Sequence, residues 1–250
     1  MSGLDQRLFV AFERHDADGI RAALDAGLDP RAPIRGKTPI EWLLEMYTRS
    51  DRFPACVRAM LERGASLPDP TLEPVLLDDP DALRRAVDVD PSRLTRRVSL
   101  AAAFTPLDGA TLLHVAAEYG HVAAARALLD LGADPDARAG FDADGLGGQT
   151  PIFHVVNSHA NRSLPVLRLL LDAGARADLR IDGLVWGRGC DWETTLFDLT
   201  PLSYAQCGLM RQMHRDERDV DAVVRLLLEV QRRSVPPMAN LPNRYLEPRG

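Results

Sequence analysis

Residues 111–139 read TLLHVAAEYGHVAAARALLDLGADPDARA, and this stretch constrains the fold more than any other. Apolar residues recur at helical spacing in two short bursts: Leu112, Leu113, Val115 and Ala116, then Val122, Ala125, Leu128 and Leu129. Gly120 breaks the first burst and Gly132 ends the second, where a helix end needs a residue tolerant of positive φ. The stretch is one helix–turn–helix unit followed by a turn. Two short helices cannot bury an apolar face alone, so the unit must stack on copies of itself, and the rest of the chain should hold them.

Degenerate copies are present. Thr150–Pro151–Ile152 opens one, with Val166 to Leu171 as its second helix and Asp172–Ala173–Gly174–Ala175 as its exit. Thr200–Pro201–Leu202 opens another, and Val220 to Leu228 is its second helix. Upstream, Thr38–Pro39–Ile40 begins a copy that closes at Leu61–Glu62–Arg63–Gly64–Ala65, and Ile20 to Pro30 is half a signature. The Thr-Pro pair has a local rationale. Thr caps a helix by satisfying an orphan backbone N–H, and Pro fits the first helical position, where its missing N–H has no partner. Residues 71–106 carry no such signature. Leu72 to Leu77 and Ala82 to Val87 are expected to form a short helical pair, capped by Asp79–Pro80 and stopped by Asp90–Pro91.

The recurring pattern resembles the ankyrin repeat over roughly residues 4–232, most strongly at 107–179. The resemblance implies an all-α ankyrin-repeat solenoid of about six helix–turn–helix units, with short β-turn fingers and one hairpin-like insertion. Its units lie near 4–33, 34–68, 69–106, 107–140, 149–181 and 199–232, consistent with about 33 residues per repeat. Insertions fall at 140–149 and 182–199, and 233–250 is a Pro-rich tail whose Leu241 and Tyr245 either dock on the end of the stack or stay free.

The resemblance also implies a non-enzymatic module that binds a protein or peptide through its concave face and fingers. His114 falls at the family's structural histidine, bridging backbone groups of neighbouring units, and His121 is likewise structural. The concave face is then carried by the positions following it: Trp42, Glu45 and Met46; Val115, Glu118 and Tyr119; His154, Asn157 and Ser158; Tyr204, Cys207 and Gly208. An exposed row of aromatic and hydrogen-bonding groups suits recognition.

The insertions are the clearest departures. The first, Gly140 to Gly148, carries Phe141. The second, between Ile181 and Thr200, carries Trp186, Arg188, Trp192, Glu193 and Phe197, and a loop this long is uncommon without a role. Leu184–Val185–Trp186 and Glu193 to Phe197 are expected to pair as a hairpin with Gly187–Arg188–Gly189 near its tip. Its aromatics either contact a partner or fold back and seal the stack. The partner-binding set is therefore Trp42, Met46, Glu118, Tyr119, Phe141, His154, Asn157, Trp186, Arg188, Trp192, Glu193 and Tyr204. The alternative is a small-molecule or catalytic pocket between the 182–199 insertion and the last two repeats, using His154, Asn157, Arg188, Asp191, Glu193 and Tyr204.

Other chemistry is poorly supported. His154 and Asn157 share a helix face at i and i+3, but a metal needs a third ligand from elsewhere, such as Asp191 or Glu193. Asp142–Ala143–Asp144–Gly145 is similar to the start of a calcium loop and lacks the later acceptors. Cys190 sits beside Asp191, which disfavours a thiolate. No cofactor is expected. The net charge of −6, with interspersed signs, argues against nucleic acid. No apolar run is long enough to span a membrane. The opening Met1 to Asp5 lacks a secretory pattern, and three cysteines without metal spacing read as reduced thiols of a cytoplasmic, monomeric protein.

Overall fold

A computed structural model describes residues 3–234, so the expectation for the tail, Leu241 and Tyr245 included, lies outside the described residues. The chain folds as successive helix pairs. These are α1 (Gly3–Arg14) with α2 (Ala17–Asp25), α3 (Pro39–Glu45) with α4 (Phe53–Leu61), α5 (Glu73–Leu76) with α6 (Pro80–Val89), and α7 (Leu112–Tyr119) with α8 (Val122–Asp130). A 3-10 turn, Pro151–His154, then pairs with α9 (Leu164–Asp172), and α10 (Pro201–Cys207) with α11 (Glu217–Val230). One apolar core runs through all of them, from Leu8 and Phe12 to Leu227 and Leu228.

The helix starts follow from side-chain capping. The Glu41 carboxylate accepts from both the N–H and the hydroxyl of Thr38, at 2.7 and 2.6 Å. Thr200 Oγ1 accepts from the Ser203 N–H at 3.2 Å. Asp79 accepts from the N–H groups of Asp81 and Ala82 and starts α6. Gly120 and Gly132, at φ 70° and 90°, end α7 and α8 in the left-handed region that favours glycine.

The fold is not wholly helical. Two antiparallel hairpins stand beside the helices. β3 (Ile181–Trp186) and β4 (Thr194–Leu199) pair in the expected place, with Leu184 opposite Leu196 and Trp186 opposite Thr194. β1 (Val98–Leu100) and β2 (Leu107–Ala110) form a hairpin that the sequence did not announce. The expected first helix of the fifth unit is also shorter than its spacing suggested. It is a 3-10 turn ending at His154, so Asn157 does not lie on the same helix.

His114 joins two segments. The Thr111 N–H donates to its Nδ1 at 3.1 Å, which leaves the proton on Nε2, and that donates to the Gln149 carbonyl at 3.0 Å. Burial drives its pKa from 6.5 down to about 3, and burial also lowers that of His15, to about 4. Both rings are neutral in the folded chain, whereas the unfolded chain takes up protons below about 6.5. The stability they contribute is complete above pH 6.5 and is lost as pH falls toward 4 and then 3. The melting temperature is therefore expected to decline across that window. A flat profile between pH 6.5 and 4 would show that these rings do not govern acid stability.

Candidate functional site

The ends of α3 and α7, the β1–β2 turn, the 3-10 turn and the 208–216 loop surround a cavity of about 760 Å³. Its walls combine Phe104, Tyr119, Trp186 and Tyr204 with the guanidinium groups of Arg49, Arg162 and Arg215.

Glu118 organises one side. Its Oε1 accepts from Arg49 Nη2 at 3.0 Å, and its Oε2 accepts from His154 Nδ1 at 2.9 Å. The side chains involved are almost closed to solvent, with Glu118 4% exposed and His154 fully buried. A carboxylate only accepts, so the His154 proton is on Nδ1. Arg49 also lies 4.6 Å from the Tyr119 ring and 5.8 Å from that of Phe104. The Tyr119 hydroxyl donates to the Leu44 carbonyl at 2.7 Å, and its ring stacks on Phe53 at 4.7 Å. Tyr204 and Thr105 share a buried hydroxyl contact of 2.8 Å. Burial pushes both phenols well above their usual range, so both stay protonated.

Trp186 closes another side. Its ring packs on Phe104 at 5.7 Å and on Trp192 at 4.6 Å. The chain turns tightly under Trp192 at Gly187, at φ 66°. A Cβ there would sit 1.9 Å from the Trp192 ring, so this position takes glycine alone. The Gly187 N–H donates to the Phe104 carbonyl and ties the β3–β4 hairpin to the β1–β2 turn.

Six of the residues singled out from sequence meet here: Glu118, Tyr119, His154, Asn157, Trp186 and Tyr204. They are not the exposed row that was expected. Glu118, Tyr119, His154 and Tyr204 are buried, because their polar atoms face partners inside the protein. Asn157 is half-buried, with its Nδ2 near the Tyr204 carbonyl and Met213 Sδ.

The other six lie outside the cavity lining. Trp42 donates from Nε1 to the Ile34 carbonyl at 2.6 Å and meets Phe9 edge-on. Met46 packs against the core. Trp192 acts through Trp186, and Phe141 is 61% exposed on the first insertion. Arg188 binds the Asp142 carboxylate at 2.6 Å, and Glu193 accepts from the Gly189 N–H at 2.7 Å. Arg188, Asp191 and Glu193 therefore do not converge with His154 and Tyr204. Burial and the nearby Glu45 and Asp191 push the Cys190 thiol up, away from a nucleophilic thiolate.

Sequence reasoning missed Arg49, Phe104, Arg162 and Arg215. All four lie between regular helices and strands, where no periodicity marks a side chain's direction. Among the described residues, no three His, Cys, Asp or Glu side chains gather to hold a metal, and no helix is long and apolar enough to cross a membrane.

No curated protein matches the chain. Residues 108–139 match the family model of the ankyrin repeat. That segment contains α7 and α8, packed between α5 and α6 on one side and the Pro151–His154 turn and α9 on the other. The segment that matches the ankyrin repeat is the one that presents Glu118 and Tyr119 to the cavity.

Proposed function

We infer that this protein is a non-enzymatic interaction module whose helix pairs act as about six degenerate units of one ankyrin-type stack. In this reading the cavity is part of its concave face and receives a peptide segment of a protein partner. The observation that carries it is the half-buried Phe104 ring in the cavity wall, 5.8 and 5.6 Å from the Arg49 and Arg215 guanidinium groups, with Arg162 exposed nearby, an aromatic beside arginines as in binding hot spots. Ankyrin repeats generally mediate protein–protein contacts, and the residues lining the site decide which partner fits. Phe141, exposed on its finger, is retained as a contact outside the cavity. The net charge of −6 supports a protein partner over nucleic acid.

Selection of random linear peptides on the full chain tests this. Arg162 is exposed at the cavity, so Arg162→Trp places a large ring there without removing core packing. Selected peptides are expected to lose binding to Arg162→Trp while its melting temperature stays unchanged. Equal binding to both proteins would take the site away from the cavity.

The cavity volume also lies within the range of small-molecule pockets, about 300–1,000 Å³, which favours a ligand site as a second reading. A metabolite that raises the melting temperature of the wild type and not of Arg162→Trp would select it.

A further inference from the structure

Arg215 stands apart from the other cation deep in this cavity. Arg49 is neutralised by Glu118. The Arg215 guanidinium is held by carbonyls alone: Nε donates to Asn157 at 2.9 Å and Nη1 to Met213 at 2.6 Å. Among the described residues it has no ion pair, and its Nη2 has no acceptor. It is half-buried, 5.6 Å from the Phe104 ring, and burial lowers its pKa from the ordinary guanidinium value. A partly desolvated cation fixed in direction, without an ion pair of its own and attracted only by a Glu118 already bound to Arg49 and His154, is a receptor for an anion.

The surroundings specify the anion. The lining acids nearest the polar cluster are already engaged: Glu118 with Arg49 and His154, and Asp78 with the Ala124 N–H at 2.6 Å. With two of its nitrogens bound to carbonyls, Arg215 offers one free nitrogen. A carboxylate is satisfied by so few donors, whereas a phosphate dianion requires more. The aromatic wall beside it accepts an apolar neighbouring residue.

We propose that Arg215 is the specificity-determining residue of the cavity and that it receives the carboxylate of an Asp or Glu side chain in the bound peptide. The proposal rests on the peptide-binding reading above and narrows it to acidic ligands.

Peptides selected from the random library on the full chain are expected to share an acid at one fixed position. A synthetic peptide of the selected sequence is then compared with its Glu→Gln or Asp→Asn counterpart by calorimetry. On the wild type the amide form should bind about tenfold or more weakly, the range of a charge-assisted bond lost from a partly buried site. On Arg215→Gln the two peptides should bind equally, and Arg215→Lys, which keeps a cation and loses the fork, should give an intermediate ratio. Melting curves check that each variant is folded. Peptides that depend on the cavity by the Arg162→Trp criterion, yet show no acid preference, overturn the proposal and leave the cavity reading standing. So does an acid preference unchanged in both Arg215 variants. Peptides indifferent to Arg162→Trp overturn both. Inorganic phosphate that displaces the peptide where acetate at equal concentration does not reassigns the anion and overturns the carboxylate.

Discussion

Trp186→Ala is expected to cost about 3–5 kcal/mol of folding stability, the range for truncating a buried aromatic residue. The ring is 2% exposed and forms a three-ring cluster with Phe104 and Trp192. Removing it takes away one of the ring contacts through which the β3–β4 hairpin leans on the β1–β2 turn, and neither short hairpin is independently stable. Urea titration followed by circular dichroism measures the loss. Phe197→Ala on the same hairpin is the control: the side chain is 67% exposed, and its removal should change stability by no more than about 0.5 kcal/mol. The pair of variants decides between the two roles open for the insertion's aromatics. Equal and small losses would free Trp186 for a partner. The expected inequality makes Trp186 a seal and leaves Phe197 as the exposed ring.

Glu118→Ala is expected to destabilise by a similar amount, about 3–5 kcal/mol, for a different reason. The substitution removes little apolar area. It strands Arg49, whose side chain is 12% exposed, and His154, which is fully buried, without their common carboxylate. An uncompensated buried charge costs far more than an exposed pair contributes. Asp81→Ala supplies the comparison, because the Arg84–Asp81 pair is 44% and 76% exposed and should contribute at most about 1 kcal/mol. A loss at Glu118 no greater than that at Asp81 would mean that the triad is solvated.

The central unit and the second hairpin were readable because each repeats a short rule. Leu112 to Leu129 keep the helical period, and Leu184 to Trp186 face Thr194 to Leu196 in alternation. The β1–β2 hairpin lacks that rule. Its strands are three and four residues long, and Leu107–Asp108–Gly109–Ala110 holds two residues disfavoured in strands. Phe104 and Thr105 in its turn were lost with it. The expectation of an exposed Tyr119 failed on geometry. Repeat alignment assumes that each first helix screens the next, but α5 has only four residues. With so short a helix between them, the Tyr119 hydroxyl reaches the carbonyl at the end of α3.

That reach alters how the molecule comes apart. In a regular stack each unit touches only the next, so stability is additive along a line and the ends fray independently. Tyr119 and Phe53 add a contact that skips the α5–α6 pair, and Arg49 with Glu118 adds a second across the same gap. Releasing the N-terminal helices breaks packing inside the central unit, and melting the central unit unfastens the N-terminal helices. Residues 39–130 should accordingly open as one cooperative block, with similar amide-exchange free energies in α4 and α7, while α11 exchanges on its own schedule.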